Sequence, residues 1–169
     1  MKYAFYFLLI VALSACSSNK EEKAIADIKA LESNKSFAKS DTLINSYVKF
    51  ADAFPSHKLA PLFLFKAAQT SVQAHSDVKG ARLYERLANE YQTDSLAPEA
   101  LIRGGICFAA ASDQANAKRL YDLFIAKFPT HPRIEEVKKW SEYSGMTEEQ
   151  MLKQFEQDVL SKQDTAKTL

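Results

Sequence analysis

The side chains best suited to chemistry in this 169-residue chain belong to two cysteines and three histidines. Cys107 lies in the apolar stretch Gly105–Ala109, which predicts a buried, unreactive thiol, because a reactive cysteine needs a partly exposed, electropositive environment. His57 and His131 each follow a Phe-Pro pair by two residues and are 131 − 57 = 74 residues apart. We therefore expect them in separate turns rather than on one metal ion, and we expect His75 in a turn between helices.

No catalytic motif joins these residues. The sequence has no Gly-rich phosphate loop, no His-Glu-x-x-His pair and no Gly-x-Ser-x-Gly elbow. Its 22 basic residues balance 21 acidic ones, so there is no basic excess to bind the phosphates of nucleic acid. Hydrophobic residues make up 47% of the chain, as in an ordinary globular protein. The composition predicts a non-enzymatic protein without a cofactor, a metal or a nucleic-acid partner.

The elements that must position these side chains are predicted to be helices. Only four glycines and five prolines occur, too few for the many tight turns of a β-sandwich or β-barrel. Apolar residues recur every four positions in two stretches: Leu83, Leu87, Tyr91 and Leu120, Phe124, Phe128. This spacing places each set on one face of a helix. We therefore predict an all-α fold.

The N-terminus carries an apolar run that is too short to cross a bilayer. Lys2 precedes ten apolar residues at positions 4–13, whereas a spanning helix needs about twenty. A positive residue followed by a short apolar segment is typical of a secretory signal peptide. The run leads into Leu13-Ser14-Ala15-Cys16.

This tetrapeptide resembles the lipobox of bacterial lipoproteins. The resemblance implies cleavage before Cys16 and acylation of its thiol and its new amine; the alternative is an ordinary signal peptide with a chance cysteine. Several acyl chains anchor a protein far more firmly than one. Ser17, where inner-membrane lipoproteins commonly carry aspartate, implies the outer membrane. Lys20-Glu21-Glu22 resembles a patch that exports some lipoproteins to the cell surface, although a solvated tether is the preferred interpretation.

Three segments of the chain repeat at an interval of 37 residues. Tyr47, Tyr84 and Tyr121 occupy equivalent positions, since 84 − 47 = 37 and 121 − 84 = 37. An aromatic residue follows each tyrosine after seven positions, and Ala-Pro at 60–61 recurs at 97–98. Self-similarity at such a period indicates stacked supersecondary units that bury their apolar faces against one another.

The repeat resembles the tetratricopeptide repeat, in which each unit is a pair of antiparallel helices. In the best-matching unit, Leu101 takes the large position of the first helix and Gly104-Gly105 takes the Leu-Gly pair. Ala117 is the small residue where the helices touch and Pro129 the terminating proline; 117 − 101 = 16 and 129 − 117 = 12 match the family spacing. The resemblance implies a helical-hairpin solenoid of about three units, similar to the repeats of the β-barrel-assembly lipoprotein and the Tol–Pal-associated coordinator.

Helix-end signals complete the predicted organisation. Asp113 and Ser76 are predicted N-caps, Gly145 a C-cap, and Thr147 with Gln150 a capping box that begins a last helix. That helix is amphipathic through Met151, Leu152, Phe155 and Val159. The predicted segments are a signal peptide (1–15), a lipidated tether with a possible first helix (16–35), tetratricopeptide-like repeats (36–146), a C-terminal amphipathic helix (147–161) and a tail (162–169).

The family resemblance also implies where a partner binds. Tetratricopeptide stacks line their concave surface with first helices, at positions one residue beyond the core stripe. In this sequence those positions are Leu62, Phe65, Val72, Ile102, Ile106 and Ala109. All are apolar, and an open apolar groove usually marks an interaction site, so we expect a partner helix or extended peptide there. Alternatively, the chain's own terminal helix covers part of the groove through Met151, Leu152 and Phe155.

The function implied by these resemblances is a membrane-anchored protein–protein interaction scaffold of the cell envelope. Its roles would lie in outer-membrane protein assembly or envelope coordination. We expect lipid anchoring to the outer membrane, facing the periplasm, with other envelope proteins or peptides as partners. The alternative is a surface-displayed ligand-capture lipoprotein, which protease treatment of intact cells would reveal because a periplasmic protein is protected. An enzyme is the third interpretation, with Cys107 its candidate nucleophile.

The lipid anchor can be tested by replacing its thiol. We predict that Cys16→Ser leaves an unacylated precursor and removes the protein from the membrane fraction, because no acyl chain can be attached at that position. Metabolic labelling with a fatty-acid analogue and membrane fractionation measure both effects. Unchanged acylation and membrane retention would refute the lipobox.

Overall fold

A computed structural model describes residues 19–147, 149–154, 156–157 and 159, and every regular element within them is helical. The predicted signal peptide, Cys16 and the tail 162–169 lie outside the described residues. The elements are α1 (including 19–33), a 3₁₀ turn (Lys35–Phe37), α2 (Asp41–Ala53), α3 (Ala60–Gln73), α4 (Asp77–Glu90), α5 (Ala97–Ala110), α6 (Gln114–Lys127), α7 (Ile134–Ser144) and α8 (including 149–154). The all-α prediction is confirmed.

The helices pack in chain order. The most extensive contacts join each of α2 to α6 with the helix that follows it, and Ile28 of α1 is buried with Leu43 and Ile44 of α2. The element starts repeat with the sequence: Ala60, Ala97 and Ile134 begin α3, α5 and α7, at intervals of 97 − 60 = 37 and 134 − 97 = 37. From α3 to α7 the helices therefore form successive hairpins with the 37-residue period of the sequence.

The turns that lead into α3, α5 and α7 share one hydrogen-bonding pattern. A side chain two residues before each N-cap accepts a hydrogen bond from the N-cap backbone N–H. The three bonds run from Leu59 to His57 Nδ1 (3.1 Å), from Leu96 to Asp94 Oδ1 (2.8 Å) and from Arg133 to His131 Nδ1 (3.2 Å). Such local bonds favour turns over continued helix. The histidines at 57 and 131 are thus turn residues, as predicted.

The helix ends follow the capping signals with one exception. The Asp113 carboxylate accepts from the Asn116 backbone N–H (3.2 Å). Thr147 and Gln150 bond reciprocally, each side-chain oxygen accepting from the other's backbone N–H (3.3 and 2.8 Å), so the capping box is confirmed. Ser76 precedes α4, but its hydroxyl makes no capping hydrogen bond, and its predicted capping bond is wrong. The helix still begins there because the Gly80 N–H donates to the Ser76 carbonyl (2.9 Å).

Small residues allow the two helices of a hairpin to approach closely. Ala117 of α6 is fully buried. A Cβ added to Gly105 of α5 would overlap the ring of Tyr121, and one added to Gly104 would lie 2.7 Å from Leu120 Cδ1. The packing density of protein interiors leaves no room for larger side chains at such contacts. These positions therefore determine the spacing of α5 and α6.

Four of the ion pairs that connect successive hairpins share one offset. Each joins residues 34 apart, on corresponding helices of successive hairpins: Glu32–Lys66 (2.6 Å), Asp52–Arg86 (2.6 Å), Glu85–Arg119 (2.6 Å) and Glu99–Arg133 (3.2 Å). Partly exposed pairs of this kind stabilise a fold by at most about 1 kcal/mol each. Their constant offset reflects the regular register of the stack rather than its main source of stability.

The packing of α6 predicts a contrast between two of its alanines. Ala117→Leu should lower the free energy of unfolding by about 1–3 kcal/mol, because the larger side chain overpacks a buried contact. Ala126→Leu is the matched control, since Ala126 lies on the same helix and is exposed. Thermal melts followed by circular dichroism measure both changes. Equal losses at the two positions would show that the helix register is wrong.

Candidate functional site

The structure separates the six predicted groove residues into two groups. Leu62 and Ile106 are exposed (36% and 43%), and Val72 and Ala109 are half-buried. Phe65 and Ile102 are buried, with Ile102 fully inaccessible. Four of the six side chains can therefore be reached by a partner, and two cannot.

The expectation that Ile102 and Phe65 line an open groove is wrong. Ile102 belongs to the main core, because α5 lies in the middle of the stack and packs on α4 and α6. The Phe65 ring packs edge-on against Tyr84, with ring centroids 5.2 Å apart. The guanidinium carbon of Arg103 covers it at 5.6 Å from the ring centroid. Sequence spacing gives the direction in which a side chain points from its own helix. The neighbouring helices determine whether that side chain is buried.

Two of the remaining groove residues, Ile106 and Ala109, line an apolar cleft bordered by α5, α6, α7 and α8, whereas Leu62 and Val72 lie outside it. Ile106 and Ala109 of α5 face Trp140 and Tyr143 of α7, and Met151 of α8 forms one edge. The volume is about 430 Å³, and the lining is completed by Ala110, Gln114, Tyr121 and Ser144. We call this site the apolar cleft. Its size suits one or two large side chains of another molecule.

The terminal helix α8 borders this cleft without closing it. Met151 is 41% exposed and its neighbour Leu152 is 59% exposed, while Ile106 and Tyr143 also remain exposed. Phe155, the third residue expected to cover the groove, lies outside the described residues. The apolar surface around the cleft thus stays open to solvent, which usually marks an interaction site on a soluble domain.

A second cavity of about 290 Å³ adjoins the cleft on the other side of Ile106. Arg103 of α5 and Arg133 at the start of α7 line it, together with Glu99. Its remaining lining residues are Val72, Tyr84 and Cys107. We call this cavity the arginine pocket. Ile106 lines both cavities, so they form one continuous surface.

Both guanidinium groups of the arginine pocket are held in place by a shared carboxylate and by aromatic rings. Glu99 accepts from Arg103 Nε (2.6 Å) and from Arg133 Nη1 (3.2 Å). Arg133 Nε also donates to Glu136 (2.7 Å), so two carboxylates balance the two guanidinium charges. Arg103 also lies over Phe65, and the Arg133 guanidinium carbon lies 5.3 Å from the Trp140 ring centroid. Cations over aromatic faces gain electrostatic attraction. The two arginines are therefore positioned before any ligand arrives.

Sequence reasoning missed the arginine pocket. The i, i+4 spacing of Glu99 and Arg103 is visible in the sequence and indicates a helix-surface pair. Arg133 is 34 residues beyond Glu99, and only the stacking of α5 beside α7 brings them together. A search for opposite charges separated along the chain by the repeat length minus one helical turn would have identified this pair.

The candidate nucleophile Cys107 is poorly suited to chemistry. Its side chain is buried (6% exposed). Burial and, secondarily, the charge of Asp77 raise the pKa of its thiol to about 11, so the reactive thiolate is scarce at neutral pH. Among the described residues, no three His, Cys, Asp or Glu side chains are grouped to hold a metal ion.

A polar cluster between α6 and α7 has a structural role. The buried Ser141 hydroxyl donates to Asp122 Oδ1 (2.5 Å), and Lys118 Nζ donates to the other oxygen of Asp122 (2.8 Å) and to Ser141 Oγ (3.2 Å). The hydroxyl proton is thus engaged by a carboxylate and not directed toward a cavity. The cluster links the two helices.

Comparisons with protein-family models and with curated proteins found no match to this chain. None of the helices within the described residues combines the length and the hydropathy that crossing a bilayer requires. The function must therefore be argued from the apolar cleft, the arginine pocket and the sequence itself.

The difference in burial among the groove residues predicts opposite outcomes for two similar substitutions on α5. Ile102→Glu should lower the free energy of unfolding by about 3 kcal/mol or more, because it places a carboxylate in the core without a partner. Ile106→Glu should change it by about 0.5 kcal/mol or less, because that side chain is exposed. Urea unfolding measures both values. Comparable losses would contradict the burial of Ile102.

Proposed function

We propose that this protein is a lipid-anchored protein–protein interaction scaffold of the bacterial cell envelope. The observation that carries the proposal is the open apolar cleft on a stack of helical hairpins. Ile106, Tyr143 and Met151 are each more than 40% exposed around it. Exposed apolar surface costs solubility unless a partner covers it, and a concave cleft formed by helices suits an inserted peptide or helix.

The regular packing of the helices supports the kind of stack that the repeat resemblance implies. The hairpin period of 37 residues, the close contacts at Gly105 and Ala117 and the turns before α3, α5 and α7 all support a tetratricopeptide-like solenoid. Solenoids expose long concave surfaces relative to their mass and serve mainly as binding platforms. The envelope roles suggested by the same resemblance are outer-membrane protein assembly and the coordination of envelope machinery.

The proposed anchor would hold this platform close to the membrane. Helix α1 is already formed at residue 19, and 19 − 16 = 3, so at most a few residues separate Cys16 from the folded stack. An acyl group on Cys16 would then keep the N-terminal end of the stack close to the bilayer surface. We place the protein at the outer membrane, on its periplasmic face.

We propose a binding role rather than an enzymatic one. The Cys107 thiol is buried with its pKa raised to about 11. The Ser141 hydroxyl is buried and bonded to a carboxylate. The two cavities that line the proposed binding surface contain arginines, one glutamate and apolar groups, which suits recognition better than bond cleavage.

Site-specific photocrosslinking in intact cells tests the proposal. A photoreactive phenylalanine analogue in place of Ile106 should yield a covalent adduct with another envelope protein, because the residue lies at the proposed contact. Val78 provides the matched control, since it is also 43% exposed but lies on α4, outside the cleft. Adducts are measured by immunoblotting and mass spectrometry. No adduct at Ile106, or equal adducts at both positions, would contradict the proposed binding surface.

A further inference from the structure

We infer that the partner presents a proline-rich segment in the polyproline II conformation, which docks in the apolar cleft. The inference rests on the proposed function and specifies the chemistry of its partner. It follows from two properties of the cleft. Its described lining is uncharged and rich in aromatic rings, and three of those rings carry hydrogen-bonding groups that no described residue satisfies.

The described residues that line the apolar cleft include no charged side chain. Tyr121, Trp140 and Tyr143 are aromatic, and the other polar side chains are those of Gln114 and Ser144. The adjoining arginine pocket adds no net charge, because two glutamates balance its two guanidinium groups. A charge buried without a partner is costly. Charge complementarity therefore favours an uncharged, apolar occupant.

The hydroxyl of Tyr121 is available to such an occupant. The residue is 3% exposed and its ring packs beside Gly105 and Trp140, yet the hydroxyl bonds to no other described residue. In the described chain, Tyr91 carries the one fully enclosed side-chain polar atom that lacks a partner. The Tyr121 hydroxyl is therefore open to the cleft that this residue lines. Burial raises the pKa of Tyr121 to about 12, so the hydroxyl stays protonated at physiological pH.

Two further residues of the cleft bring hydrogen-bond donors. The Trp140 indole N–H and the Tyr143 hydroxyl make no hydrogen bond to any described residue. An indole N–H can only donate, and a phenol hydroxyl can donate or accept. An occupant must therefore supply acceptors, whereas any N–H groups that it brings would compete for a few hydroxyl and amide oxygens.

A proline-rich segment meets these requirements better than a helix or a strand. Its backbone carbonyls are free to accept, because the polyproline II conformation has no internal hydrogen bonds. Proline brings no N–H that would lose its bond to water on docking. A helix uses its carbonyls internally, and an added strand needs a sheet edge, whereas the regular elements of the described chain are helices. Aromatic-lined grooves are common receptors for proline-rich segments.

Both sides of the proposed contact are ordered before they meet. The Tyr121 ring is fixed by its burial against Gly105. The Trp140 ring lies between Tyr121, with ring centroids 5.7 Å apart, and the Arg133 guanidinium, 5.3 Å from its centroid. Polyproline II segments are stiff in solution. Less conformational freedom is therefore lost on binding than with a flexible peptide.

Titration with a decaproline peptide tests the inference. The peptide is acetylated and amidated so that it carries no charge, and the full chain is kept in detergent. Trp140 is the single tryptophan of the chain, so its fluorescence reports on the cleft directly. Decaproline should change this emission saturably. Tyr121→Phe should weaken the affinity about three- to tenfold, because one hydrogen bond is lost while the ring is kept.

Tyr91→Phe is the matched control. The Tyr91 hydroxyl also lacks a partner in the described chain, but it is enclosed, and the residue lines a separate cavity between residues 55–58 and 90–94. Its removal should leave the affinity for decaproline unchanged. A synthetic peptide of residues 147–161 serves as a helical competitor and should bind more weakly than decaproline.

Three results would overturn the inference. They are an unchanged Trp140 emission with decaproline, an affinity that Tyr121→Phe does not alter, and tighter binding of the helical peptide. If Tyr121→Phe shifts the melting curve, Tyr143→Phe removes a hydroxyl from an exposed residue instead and must weaken binding. An adduct at position 106 in cells, together with any of the three results, would leave the proposed scaffold function standing and remove only the proline-rich partner.

Discussion

The close approach of the paired helices in the α3–α4 and α5–α6 hairpins determines how the rest of the stack is arranged. At Gly80, Gly104, Gly105 and Ala117, no larger side chain fits without displacing a neighbour or overpacking a buried contact. The helices consequently lie near enough for their large apolar residues to interdigitate and exclude water, which is the main stabilising term of a helical stack. The spacing of the hairpins, and with it the position of every surface residue, follows from these contacts.

The apolar cleft exists because this regular packing changes at the last hairpin. Thr147 caps α8 34 residues after Asp113 caps α6 (147 − 113 = 34), whereas the earlier units repeat every 37. At this offset Met151 corresponds to Ala117 (151 − 117 = 34). Ala117 is fully buried, whereas Met151 is 41% exposed. A methionine cannot occupy the close contact that an alanine allows, so α8 borders the cleft and leaves it open.

Electrostatics contributes to the site rather than to the fold. Single partly exposed ion pairs add little to the free energy of unfolding, and the pairs between successive hairpins are of this kind. One of them, Glu99–Arg133, nevertheless places a second guanidinium beside Arg103. Small and apolar side chains stabilise the stack, whereas the arginines beside exposed apolar groups give it a surface with distinct chemistry.

Local patterns in the sequence were enough to predict the all-α fold, the 37-residue period and the helix-end signals at Asp113 and Thr147. These are local properties, since periodicity and capping depend on residues within a few turns of one another. Tertiary structure alone decided that Ile102 is buried and that Arg133 meets Glu99. Both depend on which helices lie side by side in the fold. The direction in which a side chain points from its own helix does not show which neighbouring helix buries it.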